Sequence, residues 1–314
     1  MQGTARAPGT CGELLQGKIN GTNFLVTCPV DLYSEVTVRL SMQGIVKVDA
    51  SLTKVRSAVE RTLKFLGKGE IGADVIVTST VPCGKGMASS TADIAASCAA
   101  TAVALGTYLT PDEIAEIALN IEPTDGVMFP GISMFDHVEG KILKYLGKAP
   151  EVEIVIVDLG GTVDTVSFNQ NSELESLNEA KEHQVAEALG KIESALSAND
   201  WGLLGKAVTA GAFAHQHILY KPGLRTLAQI CHDSGGLGIN IAHSGTVVGL
   251  LFEKGRYSGT VQEKIVRAGF DSSFPARIID GGVEVLQESA GERSWLSLNT
   301  YMVGICGKLQ KSTG

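Results

Sequence analysis

Aromatic residues are scarce in this chain, at 5% of positions, and no stretch of about 18 uninterrupted apolar residues occurs. The longest candidate, Ile94 to Leu105, is short and dominated by alanine. A membrane-spanning helix is therefore not expected, and neither is an aromatic-rich binding module. Basic charge is also in deficit: 26 Lys and Arg against 34 Asp and Glu leave a net charge of −8 and a pI near 5.3. That balance offers no attraction to a polyanion, so nucleic acid and acidic membranes are not expected partners. Paired cysteines are missing as well. The six, at positions 11, 28, 83, 98, 231 and 306, lie in apolar or glycine-rich surroundings and read as reduced thiols of a cytoplasmic protein. No Cys/His set has zinc-ligand spacing. The N-terminus, MQGTARAPGTCGELLQG, has no basic region followed by an apolar run, so no signal peptide is expected.

What the chain does have is length and aliphatic content. Its 314 residues are 44% apolar, enough for two domains with an alanine-rich core, which favours mixed α/β packing. Alternating patterns predict strands at Glu35 to Leu40, Ile45 to Asp49 and Ala73 to Val81, the last with Val75, Val77 and Val81 on one face. Helices are expected at about Leu52 to Phe65 and from Ser90 to Gly106. A further helix starts at Thr110-Pro-Asp-Glu, where Thr110 and Glu113 form a capping box, and runs to Pro123. Residues 122 to 140 read as one long irregular segment, a length that usually signals function. A shift in composition near Pro150 suggests domains of 1–150 and 151–314. The second half predicts a strand at Val152 to Val157 and helices at about Glu173 to Ala198, Trp201 to Ala214 and Gly223 to Asp233. Strands follow at Thr246 to Phe252 and Ala276 to Ile279, an α+β layout with helices covering a sheet. The final Lys-Leu-Gln-Lys-Ser-Thr-Gly is expected to fray.

At the junction between the third strand and the alanine-rich helix lies Pro82-Cys-Gly-Lys-Gly-Met-Ala-Ser-Ser. A polyphosphate needs converging backbone N–H donors without obstructing side chains, and a helix N-terminus adds about half a positive charge. Pro82, Gly84, Lys85, Gly86, Met87, Ala88, Ser89 and Ser90 are the candidate phosphate cradle. The loop does not follow the Walker pattern, since Gly86 rather than Ser or Thr follows Lys85, nor the dinucleotide G-x-G-x-x-G. A plain glycine turn joining strand to helix is the alternative.

Three ordered stretches resemble the GHMP kinases, the family of galactokinase, homoserine kinase, mevalonate kinase and phosphomevalonate kinase. The central loop matches the family's motif with Ala88 in place of its second glycine and Thr91 in place of the usual alanine. Ala7-Pro8-Gly9-Thr10-Cys11-Gly12-Glu13 is similar to a compressed N-terminal motif, and Gly236 to Leu251 to the C-terminal glycine-rich motif. The resemblance implies two domains, the first like ribosomal protein S5 and the second ferredoxin-like. It also implies ATP and Mg²⁺ as cofactors and an ATP-dependent small-molecule kinase. Pro-Gly-Thr-Cys-Gly-Glu-Leu-Leu-Gln-Gly, Glu-Pro-Thr-Asp-Gly and His-Gln-His-Ile-Leu-Tyr-Lys-Pro-Gly narrow the resemblance to the branch that phosphorylates free L-threonine, a step feeding the aminopropanol linker of cobalamin. Homoserine phosphorylation and a non-catalytic ATP-binding sensor are the alternatives, and a homodimer is left open.

By the same resemblance Ser89 or Ser90 and Glu122 hold the metal, because Mg²⁺ keeps several waters and needs few protein oxygens. The aspartate that mevalonate-kinase-like members use as base falls on Ser133 here. Asp125 is the expected substitute, with Asp136 as the other nearby aspartate, and Asp125 serves the substrate ammonium if no base is used. Glu13, Gln16, His243 and Ser244 are expected at the substrate, with Lys221 as a further donor. His215 and His217 read as surface or packing residues rather than a metal pair.

Overall fold

The computed structural model describes residues 1–141, 143–163, 173–289 and 292–298. The frayed tail expected from Lys308 onward lies outside these. The first two strands, β1 (Gln2–Ile19) and β2 (Thr22–Ser41), form one long antiparallel hairpin. Its turn is Asn20-Gly21, both at positive φ (50° and 79°), as a two-residue turn between twisted strands requires. Register shifts at Pro8/Gly9, Thr10/Glu13 and Glu13/Leu15 bulge the middle of β1. Bulges interrupt the alternation of faces, which is why β1 is not legible as a strand from its pattern.

β3 (Val46–Lys47) and β4 (Gly72–Ser79) flank α1 (Thr53–Phe65), and β4 pairs antiparallel with β2. α2 (Ser89–Ala104) and α3 (Pro111–Leu119) follow, α3 with the expected Thr110–Glu113 capping box. α3 ends at Leu119, short of Pro123, because Asn120 already leaves the helix with the Asn120 side chain bonded to Glu116 O. The stretch expected to be irregular contains β5 (Ile132–Phe135), which pairs with β2 and with β6 (Leu143–Gly147). All four residues of β5 are buried, and a strand covered on both faces has no alternation to reveal it.

The second half runs β7 (Val152–Asp158), α4 (Leu174–Ala180), α5 (Glu182–Ala198), α6 (Trp201–His215) and α7 (Leu224–His232). It continues with β8 (Gly238–Ile241), β9 (Val247–Glu253), α8 (Thr260–Arg267), β10 (Ser272–Arg277), β11 (Glu284–Ser289) and β12 (Glu292–Ser297). The helix expected from Glu173 to Ala198 is broken at Lys181, whose ammonium turns inward. One sheet, ordered β10-β7-β9-β8-β1-β2-β4-β3, runs through both halves, and the β11–β12 hairpin returns to pair with β1. β8 meets β1 at Ile241 and Glu13. There the buried Asn240 amide donates to the carbonyls of Cys11 and Glu13, pinning the bulged stretch. The described cysteines are free thiols.

Thirteen of the 16 residues of α2 are buried, most of them alanine. Small side chains let the helix lie almost in contact with β1, and the approach is closest at Gly3. A Cβ there would stand 2.3 Å from Ala100 O and 2.5 Å from Ala104 N, both backbone atoms that cannot swing aside. This contact sets how closely the C-terminal end of α2 approaches β1. Gly3→Ala is therefore expected to lower the unfolding free energy by about 1–3 kcal/mol, measured by urea denaturation.

Candidate active site

The phosphate loop leaves β4 and delivers its last residues to the N-terminus of α2. Gly84, Gly86 and Ala88 have φ of 71°, 77° and 55°, so left-handed residues alternate along it. Such alternation gathers successive N–H groups into an anion-binding concavity. The carbonyls face the other way. Lys85 O accepts from Thr246 N (2.9 Å) and Val247 N (3.3 Å), Met87 O from Thr10 N (2.9 Å), and Gly84 O from Val163 N (3.4 Å). Among the described residues, no backbone carbonyl accepts from the amides of Gly84 to Ala88. α2 begins without a side-chain cap and without an acid in its first turn, leaving its N-terminal donors to an outside acceptor.

The cavity in front of this loop is lined by Gly84, Gly86, Met87, Ala88, Ser89 and Ser90 on one side. Glu122, Asp125, Glu13, His137, His243 and Ser244 face them. Pro82 and Lys85 are not in the lining. Lys85 turns outward to Asp158 Oδ2 (2.7 Å) and Gly161 O (2.7 Å); burial pushes the Asp158 carboxyl up, but the bonds from Lys85, Thr246 and Gly160 outweigh it and hold the group below its usual range. Ser90 Oγ donates to Glu122 Oε1, and Glu122 Oε2 pairs with Lys54 Nζ at 2.5 Å. Ser89 Oγ lies 3.2 Å from Cys83 Sγ.

Asp125 is held by Thr91, whose Oγ1 accepts from Asp125 N (3.3 Å) and from Thr124 Oγ1 (3.1 Å). The hydroxyl that replaces the family's alanine thus ties the Thr124-Asp125 turn to α2. Burial raises the Asp125 carboxyl to about 6, opposed by a hydrogen bond from Glu13 and helped by the charge of Glu122. Glu13, 4% exposed, is raised well above the usual range by burial first and then by the Asp125 charge. Two buried carboxyls in contact share a proton, because both cannot ionise cheaply. Glu13 Oε2 has no hydrogen-bond partner, which leaves an acceptor for a donor arriving in the cavity.

Other expected residues stand elsewhere. Gln16 is 2% exposed and lies outside the cavity wall, its carbonyl accepting from Lys181 Nζ at 3.2 Å. Asp136 is buried and its carboxylate is saturated by the amides of Val138, Glu139 and Lys141, so it caps a turn. Lys221 donates to Gly245 O from behind the second glycine loop, and burial brings it down to about 7. His215 is fully buried and packs as expected. Its Nδ1 lies 3.0 Å from Lys181 Nζ and its Nε2 3.0 Å from His243 O, an acceptor that places the ring hydrogen on Nε2. His243 packs between His215, tilted against it, and His137, edge-on to it, with ring centroids 5.3 Å from each, and burial lowers all three below their usual range.

Lys54 and Lys181 were not singled out from the sequence, and Thr91 was noted only as a departure from the family's motif. Lys54 carried a signal, a lysine in the first turn of a helix, where the dipole disfavours a cation.

Two family models match the chain: "GHMP kinases N terminal domain" over residues 53–131 and "GHMP kinases C terminal" over residues 192–271. The chain is also 33% identical to an L-threonine kinase of Salmonella typhimurium over 291 residues, covering 90% of this chain and 95% of that one. It belongs to the GHMP kinases. An L-threonine kinase of Citrobacter freundii is 32% identical over 289 residues, covering 90% and 99%. Among solved structures, a homoserine kinase from Cytophaga hutchinsonii shares the fold of this GHMP kinase with a TM-score of 0.70 at 18% identity, covering 90% of this chain and 97% of that one. A mevalonate diphosphate decarboxylase from Enterococcus faecalis does so with a TM-score of 0.69 at 18% identity, covering 92% and 99%. The two-domain kinase fold and the α+β class expected from the sequence are those of the family. Among the described residues, no helix is long and apolar enough to cross a membrane.

Ala88 sits where the family's motif carries glycine, and its left-handed φ is strained for a residue with a Cβ. Ala88→Gly in this GHMP kinase is expected to raise the unfolding free energy by about 1 kcal/mol in urea denaturation, since glycine adopts the left-handed conformation without a Cβ penalty and is the better N-cap.

Proposed function

We propose that this GHMP kinase transfers the γ-phosphoryl group of ATP to the hydroxyl of free L-threonine. The product, O-phospho-L-threonine, would feed the aminopropanol linker of cobalamin in the cytoplasm. The observation that carries the reading is the meeting, in one cavity, of unbonded loop amides, the Ser90–Glu122 pair and the buried Glu13–Asp125 pair. Identity to curated L-threonine kinases over nine-tenths of the chain supports the choice of substrate.

The amides from Gly84 to Ser90 and the α2 N-terminus would bind the phosphates, since positioning and charge neutralisation supply most of the rate in phosphoryl transfer. Ser90 and Glu122 fit a magnesium ion: one hydroxyl and one carboxylate adjoin, and no cluster of three His, Cys, Asp or Glu competes among the described residues. When bound, that ion would neutralise charge between the terminal phosphates. Asp125, with its carboxyl near 6, would accept the proton of the threonine hydroxyl as the new O–P bond forms and the bond to ADP breaks. Glu13 would face the substrate ammonium, with His243 and Ser244 at its carboxylate end. The division into residues 1–150 and 151–314 remains our proposal for the two domains.

The test is purified protein with Mg·ATP and a panel of threonine, serine, homoserine, mevalonate and galactose, with products read by phosphorus NMR. Phosphothreonine should form fastest, and kcat/KM for threonine should fall about tenfold per pH unit below about 6, as Asp125 gains its proton. Asp125→Asn should lower kcat by about 10²–10⁴-fold with little change in KM for ATP. ADP release with no member of the panel would refute the kinase reading.

A further inference from the structure

A nucleoside triphosphate brings several negative charges into a cavity whose own walls are acidic. Glu13, Glu122 and Asp125 all line it, in a protein of net charge −8. The lysine within the glycine loop does not answer that charge. Lys85 is committed to Asp158 and to Gly161 O on the outer face of the loop. Lys181 and Lys221 are buried behind the wall on backbone carbonyls, and His137 and His243 are kept neutral by burial. Among the described residues, Lys54 is the one lysine or arginine in the cavity lining.

Its placement is unusual for a lysine with only a structural task. Lys54 occupies the first turn of α1, at the positive end of the helix dipole, with no acid in that turn to offset it. Its side chain is 48% exposed and ends on Glu122 Oε2 at 2.5 Å, while Glu122 Oε1 takes the hydroxyl of Ser90. The pair is lopsided, the lysine half in water and the Glu122 side chain only 9% exposed. Lys54 Nζ therefore rests on the carboxylate and hydroxyl that face the phosphate loop, on a four-carbon stem free to turn. Its charge also lowers the Asp93 carboxyl, whose upward shift comes mainly from burial.

We propose that Lys54 is the phosphate-binding lysine of this cavity, taking the role that the loop's Lys85 is turned away from. In the free protein it neutralises Glu122; with nucleotide bound it turns from that carboxylate to the terminal phosphoryl oxygens, releasing Glu122. The proposal rests on the kinase reading above.

Titration calorimetry with a non-hydrolysable Mg·ATP analogue, and ligand-observed NMR with AMP, test it on wild-type protein, Lys54→Met and Lys54→Arg. Lys54→Met should weaken the analogue about tenfold or more and leave AMP affinity within about twofold, since charge-assisted bonds to terminal phosphates are lost and nothing else. Lys54→Arg should recover most of the loss. Equal analogue affinity in wild type and Lys54→Met would overturn the proposal, and so would parallel weakening of analogue and AMP, which marks a structural role. Failure of the wild-type protein to bind the analogue would instead overturn the kinase reading, and this proposal with it.

Discussion

The site depends on the touching of two backbones, Gly86 in the phosphate loop and Gly245 in the loop between β8 and β9. A Cβ on Gly245 would stand 2.1 Å from Lys85 O and 2.3 Å from Gly86 Cα, and one on Gly86 would stand 2.7 Å from Gly245 Cα. No side chain fits between them. This approach lets Lys85 O accept from Thr246 N and Val247 N, turning the loop's carbonyls toward the second half of the chain and its amides toward the cavity. Lys221 on Gly245 O and Lys85 on Asp158 brace the contact from behind and from outside. Each half thus completes the other's loop.

The same meeting of halves explains the charge arrangement. β1 is shared by both, through its pairing with β2 and with β8 at Glu13, so Glu13 is carried into the middle of the molecule and away from water. Its neighbour Asp125 arrives from the turn after α3, tethered to α2 by Thr91. Two acids brought together by different elements and desolvated together are both raised above the usual carboxylate range, which would suit the proton-accepting role proposed for Asp125. Behind them burial, helped by the charge of Lys181, keeps His215 and His243 uncharged, and hydrogen bonds link Lys181 to His215 and His215 to the His243 carbonyl.

Much of this was legible in the sequence where local chemistry decides structure. The capping box at Thr110, the α1 boundaries and the strand-loop-helix placement of residues 82–90 followed from turn and cap residues. Asn20-Gly21 was a hairpin signal available and unused. β1 was hidden because its bulges break alternation, and β5 because it is buried on both faces. At the site, Asp125 was legible from its tight turn beside Glu122, and Glu122 from the family resemblance together with its position before the long segment. The contrast between Asp125 in the cavity and Asp136 as a turn cap needed three backbone amides that only the folded chain brings together. Lys54 was out of reach of motif reasoning, since its partner Glu122 is distant in sequence and joins it through packing of α1 beside α3.

The most direct measurement is a crystal structure with a non-hydrolysable ATP analogue, Mg²⁺ and threonine. The account predicts the β- and γ-phosphates hydrogen-bonded to amides between Gly84 and Ser90, with the threonine hydroxyl beside Asp125. A nucleotide bound elsewhere, with those amides covered by protein, would contradict it.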